Sequence, residues 1–535
     1  MADLIRDAPL GQLLRLVSKH PSLQYPEERP NSAGFDNWAR AETTTHNGTR
    51  AGAPKQHDQA ADVAEAEPFA VHWYRESDPE NPQNWSTGKK LTVTFIICIY
   101  TFVVYTSSAI YTNSQLGIMQ EFRVGQIEAT LGLSLYVLGY GVGPLLFSPL
   151  SEIPAIGRNP VYVVTMLLFV LISIPTAFAP DMRSLLVLRF FQGFFGSPCL
   201  ASGGATIADM YSMETLPYAM LAWVSASYCG PALGPLLSGF SVPAMNWRWS
   251  LYEILWASVP VFAVMVLLLP ETNPETILFR RGKRIAKVTG KKVLYSRKQS
   301  GQQPSAGEPA LLGTLFTALI KPIEITIKDP AVLFVQIYTS IIYGIYYSFF
   351  EVFPLVYPVQ YGMDSGQLGL VFLCILCACL IGVLVYSLWL YLMRGCDFST
   401  PERRLVPALF FSFGPTIGLF LFAWSAQSSI HWIVPTIGIT IYGSSVFVVF
   451  QCLFIYIPIS YPRYAASLFA ANDFFRSALA CGSVLFAQPL FSNLGVARGV
   501  SVLGGLSVIG IIGIWILYYS GTKLRSMSSF AESMP

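Results

Sequence analysis

Residues 91–112 read LTVTFIICIYTFVVYTSSAIYT, a run of 22 residues without one charged side chain. A helix needs about 20 apolar residues to cross the hydrocarbon core of a bilayer, so this run is long enough. Similar runs recur along a chain of 535 residues, of which 53% are hydrophobic and only 12% are charged. Soluble domains carry roughly 25% charged residues, and the composition therefore excludes a soluble enzyme, a coiled coil and a disordered chain. We predict an all-α polytopic membrane protein.

Twelve apolar runs form two groups of six that are separated by a long polar stretch. The first group lies near residues 91–112, 128–150, 160–178, 184–207, 217–240 and 249–269. The second group lies near residues 330–353, 366–389, 405–424, 432–457, 465–491 and 499–519. We expect a disordered cytoplasmic tail over 1–88, six-helix bundles over 89–269 and 330–519, a cytoplasmic central loop over 270–329, and a cytoplasmic tail over 520–535.

The positions of Lys and Arg between these runs predict the orientation of the chain. Twenty of them fall on the side of the two termini, whereas the opposite side has only Arg123, Arg183, Arg248 and Arg498. Cytoplasmic loops carry the excess of Lys and Arg in membrane proteins. We therefore expect both termini in the cytosol.

Three segments on the predicted cytosolic side have features of their own. Leu10, Leu13, Leu14 and Val17 recur at helical spacing, which predicts a short surface helix in the first tail. Residues 280–298 are basic, and they either lie against anionic headgroups or form a solvated loop. Residues 311–327 mix apolar and charged side chains too closely to span a bilayer, which predicts an interfacial helix.

Ionisable residues inside the predicted spans are the candidates for proton coupling. Arg189 lies in the fourth span, where an arginine costs roughly 2.5–3.5 kcal/mol on insertion scales and needs a polar partner. Asp473 and Arg476 are three residues apart in the eleventh span and can pair on one helix face. This pair is either a structural lock or a functional group, and the sequence favours neither. Glu351, late in the seventh span, is the fourth candidate.

No motif for enzymatic chemistry is present in the sequence. It contains neither HExxH, nor a Walker A sequence, nor a nucleophile elbow. Cys374, Cys377 and Cys379 lie among Leu, Ile and Ala, which indicates packing residues rather than metal ligands. A net charge of +3 without a basic stripe gives no reason to expect nucleic acid as a partner. We predict a protein that is not an enzyme and has no catalytic residue, metal or cofactor.

Paired glycines and prolines interrupt the fifth span, which reads GPALGPLLSG at residues 230–239. Pro231 and Pro235 remove two backbone hydrogen bonds and bend the helix, while Gly230 and Gly234 permit close approach of a neighbouring helix. Such a bend either shapes a cavity or seals one face of the helix against leaks.

Six plus six spans around a long central loop resemble the major facilitator superfamily, whose halves are related by an axis along the membrane normal. Residues 143–158, GPLLFSPLSEIPAIGR, are similar to its loop between spans two and three, although Glu152 stands where many members have Asp and Asn159 replaces a second basic residue. The fourth span is similar to a motif associated with proton coupling, and the run at 230–239 to the antiporter motif, with Pro235 in place of a glycine. The residues in these motif positions are Gly143, Glu152, Gly157, Arg158, Arg189, Gln192, Gly193, Gly230, Pro231, Gly234 and Pro235.

Further segments resemble the twelve-span fungal drug:proton antiporters, a branch with fluconazole and benomyl resistance pumps and toxin exporters. These segments are residues 78–86, 246–249, 270–272, 343–344, 351–354, 461–466 and 471–476. The resemblance implies export of a small amphipathic compound (a drug, a fungicide or a fungal metabolite) by a monomer, driven by a proton gradient. Arginine does not release its proton in proteins, so we expect Arg189 to tune a neighbouring acid or water, with Glu351 and Asp473 as the candidate acids. The implied location is the plasma membrane, with a vacuolar or vesicular membrane as the alternative.

Aromatic residues of the spans are the predicted lining of a substrate cavity, because their faces accept flat or cationic compounds. The candidates are Trp223, Tyr228, Tyr343, Tyr346, Phe350, Tyr442 and Phe474. Two other functions stay open at this point. One is a proton symporter for nutrient uptake, and the other is a non-transporting membrane sensor with a signalling tail.

Overall fold

The computed structural model describes residues 2–18, 20–28, 69–289, 293–294, 320, 323–394, 400–461 and 465–528. These residues are almost entirely helical. The only extended pairing among them joins two parallel two-residue strands, β1 (Phe69–Ala70) and β2 (Val293–Leu294). The predicted all-α class is confirmed for the membrane part of the chain.

From α3 onward, helices of the first half follow one another with short connections. They are α1 (Ala2–Asp7), α2 (Pro9–Val17), α3 (Thr87–Ala109), α4 (Gln115–Phe122), α5 (Gln126–Glu152), α6 (Arg158–Ala177), α7 (Met182–Gly196), α8 (Pro198–Met210), α9 (Leu216–Ala244), α10 (Trp249–Leu268) and α11 (Pro274–Thr289). In the second half they are α12 (Pro330–Tyr361), α13 (Ser365–Val371), α14 (Leu373–Leu392), α15 (Val406–Phe411), α16 (Gly414–Ser425), α17 (Ile433–Ser460), α18 (Ala465–Leu494) and α19 (Val496–Met527). Short 3-10 turns lie at 21–23, 26–28, 82–84, 112–114 and 401–405.

Eleven helical segments of the described chain are long and apolar enough to cross a membrane. Each corresponds to a predicted span, and α7 with α8 together make the fourth. The remaining predicted span is α9, which has 29 residues but is not among these eleven segments. The count of twelve therefore stays a prediction that depends on α9.

Helix α9 runs unbroken through Pro231 and Pro235 and packs against α3. A Cβ atom at Gly230 would lie 2.7 Å from Cβ of Tyr105, and one at Gly234 would lie 2.7 Å from the backbone nitrogen of Ile110. Both positions are therefore closed to larger side chains unless the helices separate. The close approach that the sequence predicts is confirmed.

The two bundles contact each other mainly through α18 of the second bundle and α9 of the first. Helix α18 of the second bundle packs against α5 of the first, and α9 of the first bundle packs against α13 and α14. Gly141 of α5 faces Ser477 of α18, where a Cβ atom would come within 2.4 Å of the serine Cβ. The interface between the bundles is thus tightly packed over its central part.

Described residues of the first 88 are ordered, in contrast to the predicted disordered tail. Helices α1 and α2 form a hairpin that packs against α10, and Asp7 pairs with Lys89 at the start of α3 over 3.0 Å. Gln12 Nε2 donates to the hydroxyl of Tyr25 at 3.0 Å. The prediction is wrong at both ends of the tail, and residues 29–68 lie outside the described residues.

A buried arginine of α11 holds the later part of this segment. Arg281 is 1% exposed and pairs with Asp78 at 2.7 Å, with Glu27 and Glu80 at 3.2 Å, and lies 4.3 Å above the ring of Tyr74. Burial disfavours the Asp78 carboxylate, but hydrogen bonds and charge from Arg281 outweigh it and hold the pKa of Asp78 below its usual value. Helix α11 is therefore part of the first half rather than of a free loop.

The other predictions for the central loop have mixed outcomes. The basic stretch 280–298 begins within α11, and its residues 290–292 and 295–298 lie outside the described chain. Of the predicted interfacial helix at 311–327, residues 320 and 323–327 are helical and the others are not described.

Candidate functional site

A cavity lies between the two bundles, about halfway along most of the helices that line it. The first bundle contributes Tyr105 from α3 and Trp223, Val224, Ser227, Tyr228 and Pro231 from α9. The second bundle contributes Tyr343 and Tyr346 from α12, Val446, Phe450 and Phe454 from α17, and Arg476 from α18. Most of these side chains are aromatic, so the walls offer flat apolar faces with one charged group among them.

The hydroxyl and indole groups of the cavity wall differ in whether they have a hydrogen-bond partner in the protein. The Tyr228 hydroxyl donates to the carbonyl oxygen of Gly443 at 2.9 Å, and Trp223 Nε1 donates to Thr101 Oγ1 at 3.2 Å. The Tyr346 hydroxyl is buried and has no hydrogen-bond partner within the described chain. Buried polar groups normally have a partner, so this hydroxyl is available to a bound molecule.

Four of the seven predicted cavity residues line it: Trp223, Tyr228, Tyr343 and Tyr346. The other three do not. Phe350 stacks on Phe372 at 5.4 Å, Tyr442 donates to the Ile342 carbonyl inside the second bundle, and Phe474 contacts Phe475. Composition cannot separate these groups, because which face of a helix meets the cavity depends on its packing partners.

Sequence reasoning missed the contributions of α3 and α17 to the cavity. Tyr105, Phe450 and Phe454 belong to runs without a charged side chain. Phe450 and Phe454 are one turn apart and contact each other at 5.4 Å. Their spacing was the available signal, although the same spacing is also typical of residues that pack between helices.

Asp473 and Arg476 form the predicted pair on one face of α18. Arg476 Nε donates to Asp473 Oδ1 at 3.0 Å, and Arg476 Nη2 also donates to the hydroxyl of Tyr105 in the first bundle at 2.8 Å. The guanidinium lies 4.8 Å above the ring of Tyr343. Arg476 thus joins the acid of its own helix to the opposite bundle at the cavity wall.

A chain of hydroxyl groups crosses the bundle interface beside this pair. The Tyr140 hydroxyl of the first bundle lies 2.6 Å from that of Tyr343 and 2.9 Å from that of Tyr347 in the second. The Tyr347 hydroxyl lies 3.1 Å from Ser108 Oγ in α3. All four residues are buried, so the two bundles are held together by polar contacts inside an apolar interface.

Arg189 is fully buried in the first bundle, where its partners are neutral. Its guanidinium donates to the carbonyl oxygens of Gly132, Ser107 and Ser108 at 3.0–3.4 Å and to Gln192 Oε1 at 3.0 Å. It also lies over the rings of Tyr136 at 4.3 Å and Tyr111 at 4.9 Å. Gln192 in turn donates to Ser173 Oγ at 2.7 Å.

The acid expected beside Arg189 is absent from the described surroundings of its guanidinium. Ser108, whose carbonyl oxygen accepts from Arg189, is linked through the hydroxyls of Tyr347 and Tyr140 to Tyr343. The ring of Tyr343 contacts Arg476, the partner of Asp473. Gly193 lets α7 pack closely against α5. A Cβ atom at this position would come within 2.2 Å of the carbonyl oxygen of Tyr136.

Glu351 lies at the bundle interface on the side opposite the chain termini. It is 4% exposed and accepts a hydrogen bond from Gln115 Nε2 of the first bundle at 3.2 Å. In the described part of the chain it forms no ion pair. Glu351 therefore differs from Asp473, which has an arginine beside it.

The loop between the second and third spans is held by two acids that were not among the predicted residues. Arg158 pairs with Asp209 at 2.8 Å, and its backbone nitrogen donates to Glu271 Oε1 at 3.1 Å. Gly157 has a φ of +84°, and a Cβ atom there would lie 2.2 Å from Glu271 Oε2, so this position requires glycine. Glu152 ends α5 next to this network, and Gly143 packs against Ser197.

These features define a polytopic membrane protein with an aromatic cavity between two helical bundles. The Major Facilitator Superfamily profile matches residues 96–484, and the chain belongs to this superfamily. The chain is 42% identical over 467 residues to MFS-type transporter pyvG of Aspergillus violaceofuscus, in an alignment that covers 86% of this chain and 85% of that protein. It is 38% identical over 480 residues to fluconazole resistance protein 1 of Saccharomyces cerevisiae, in an alignment that covers 88% of this chain and 86% of that protein.

A solved structure with the same fold is the proton:xylose symporter XylE. It aligns with a TM-score of 0.55 at 12% identity and covers 81% of this chain and 96% of its own. At this identity the likeness concerns the fold alone. The prediction of a fungal drug-resistance type of facilitator is therefore confirmed through the sequence relatives, and the multi-pass membrane location follows from the family and the helices.

Proposed function

We propose that this transporter exports a small amphipathic compound out of the cytosol in exchange for protons, by alternating access. The observation that carries this proposal is the aromatic cavity that both bundles line, with the Asp473–Arg476 pair in its wall. Two relatives whose names state drug resistance support the direction of transport: the fluconazole resistance protein and the cycloheximide resistance protein of Candida maltosa.

Contacts between the bundles on both sides of the cavity support alternating access. On the side opposite the termini, Gln488 Nε2 donates to Gln126 Oε1 at 2.8 Å and Gln115 donates to Glu351. On the side of the termini, Gln451 Nε2 donates to the Pro217 carbonyl at 3.2 Å. Rocking of the bundles opens one set of contacts while the other set stays closed.

Of the two candidate acids, Glu351 is the better proton carrier. Protonation of Asp473 would leave the Arg476 charge without its counterion in an apolar wall, which is costly. Glu351 has no cation to leave behind, and its hydrogen bond crosses the bundle interface. A change in its protonation therefore changes the strength of a contact between the bundles, and coupling requires such a difference between the two arrangements.

The proton gradient is large enough for this task. One proton that enters down about 100 mV supplies about 2.3 kcal/mol, and one unit of pH adds about 1.4 kcal/mol. The sum corresponds to a concentration ratio of a few hundredfold for a neutral substrate. We place this activity at the plasma membrane and in a monomer, as the family resemblance implies.

Transport by purified protein in vesicles tests the proposal. Inside-out vesicles would receive an imposed pH gradient and a fluorescent or radiolabelled azole as the probe. We expect uptake into the vesicles that stops when a protonophore collapses the gradient. Uptake that persists unchanged after collapse would refute proton coupling, and accumulation of the probe in intact cells that is raised by the transporter would refute export. Matched vesicles with the Glu351→Gln variant serve as the control for proton coupling.

A further inference from the structure

Helix α2 presents an apolar face that no part of the described chain covers. Leu16 is 83% exposed, Val17 is 90% exposed and Leu13 is 59% exposed. They follow the i, i+3, i+4 spacing of a single helix face. These three residues are called the α2 apolar face below. Their exposure is unusual for a helix that is otherwise fixed in the fold.

The opposite side of the helix hairpin is firmly attached. Ala8 is fully buried, Gln12 donates to the Tyr25 hydroxyl, and Arg15 pairs with Glu28 at 2.6 Å. Arg15 also lies 4.4 Å above the ring of Tyr25. The α2 apolar face is therefore held outward by contacts on the other side of the helix, and it cannot turn inward without breaking them.

The position of the hairpin indicates what it meets. It packs against α10, whose outer surface includes Trp256, Val259 and Leu267, with exposures of 57%, 46% and 44%. In a membrane protein these outer residues face lipid. Asp7 pairs with Lys89 in the first turn of α3, so the hairpin lies where the membrane helices begin. The α2 apolar face thus lies beside the lipid-facing surface of α10, at the level where the membrane helices begin.

We propose that α2 is an interfacial membrane anchor whose apolar face, Leu13, Leu16 and Val17, inserts into the leaflet on the side of the chain termini. Short amphipathic helices bind at this depth by burying their apolar face between headgroups and acyl chains. The inserted face itself has no charged residue. Its binding therefore depends on apolar area rather than on anionic lipid. The site is separate from the cavity and from proton coupling.

Photolabelling of the full-length protein in vesicles tests this proposal. Phosphatidylcholine vesicles would contain a phosphatidylcholine probe with a diazirine on its acyl chain, and labelled peptides would be quantified by mass spectrometry. We expect labelling of residues 7–19 about tenfold above that of the polar segment 71–81, as insertion to acyl-chain depth requires. Labelling of residues 7–19 at the level of that polar segment would overturn the proposal.

The triple variant L13Q/L16Q/V17Q keeps good helix formers in α2 while it removes the apolar area. We expect its labelling at residues 7–19 to fall to the level of the polar segment, with labelling of α10 unchanged. The matched control is M213Q, which makes the same kind of change at a methionine that is 56% exposed in the connection between α8 and α9. We expect this control to label like the parent protein.

Three further outcomes would contradict the inference. Labelling that survives in the triple variant would mean that lipid does not meet α2 through this face. Labelling that appears only when phosphatidylserine is added would mean that basic side chains, rather than apolar area, carry the contact. A cross-link between two copies through α2, together with baseline lipid labelling, would assign the face to a second copy and would also refute the proposal.

Discussion

Single and double replacements of Asp473 and Arg476 distinguish the structural role of this pair from its role in transport. Asp473→Asn leaves a buried guanidinium at the cavity wall without its counterion, and Arg476→Gln leaves a carboxylate that is 1% exposed without its cation. Removing one partner of a buried ion pair costs about 3–5 kcal/mol. We expect Asp473→Asn at the lower end, because Tyr105 and the Tyr343 ring still contact Arg476.

The double variant D473N/R476Q restores neutrality with two amides that can bond to each other at the same spacing. We expect it to be more stable than either single variant, with a coupling free energy of at least about 2 kcal/mol in unfolding titrations of the purified protein. Its transport in vesicles should nevertheless stay impaired, because it loses the charged group that the described cavity lining presents to substrate. Single variants as stable as the double variant would refute the ion-pair reasoning, and full transport by the double variant would assign the pair to structure alone.

Other predictions concern proton coupling and the ordered segments. Arg189→Ala removes four hydrogen bonds and is expected to abolish proton-driven export with normal membrane insertion, as measured by surface labelling and export in cells; normal export would exclude Arg189 from the mechanism. Glu351→Gln keeps the hydrogen bond to its neighbour but cannot ionise, so transport in vesicles should no longer respond to an imposed pH gradient, and an unchanged response would transfer the coupling role to another acid. Gly157→Ala should lower stability by about 1 kcal/mol from its left-handed backbone alone, with more from the clash, in thermal unfolding; an unchanged melting temperature would contradict this. Because the pKa of Asp78 is lowered in the folded protein, its contribution is present above the unfolded value of about 3.9 and is lost as pH falls further. At one acid pH, pepsin should therefore cleave residues 71–88 faster in Arg281→Gln than in the parent protein; equal resistance of the two proteins would refute the anchoring role.

Features that depend on neighbours along one helix were predictable from the sequence. Hydropathy located eleven membrane-capable helices, and the spacing of three residues gave the Asp473–Arg476 pair. The two Gly-Pro pairs gave the close approach of α9 to α3. In each case the sequence signal lies within about one span, where the helix period fixes which side chains are adjacent.

Features that depend on contacts far apart in the chain were not predictable. Residues 71–88 are polar and rich in proline, so composition predicts disorder, but Asp78 is fixed by Arg281 some 203 residues later. Backbone carbonyl oxygens surround Arg189 in place of the expected acid. Every residue has a carbonyl, so the sequence does not show which of them lie near this side chain. The cavity lining likewise required the position of α17 relative to α9, which no periodicity in either helix encodes.

Because Arg281 is buried among residues of the first tail, the first half of the protein ends after α11 rather than after α10. A first-half polypeptide that stops after Leu269 would lose α11 and expose Glu27, Asp78 and Glu80 with no cation to neutralise them, whereas one that continues through Thr289 keeps the set intact. A cut beyond residue 294 also keeps the β1–β2 pairing. We therefore expect two co-expressed fragments divided there to reassemble into a working transporter.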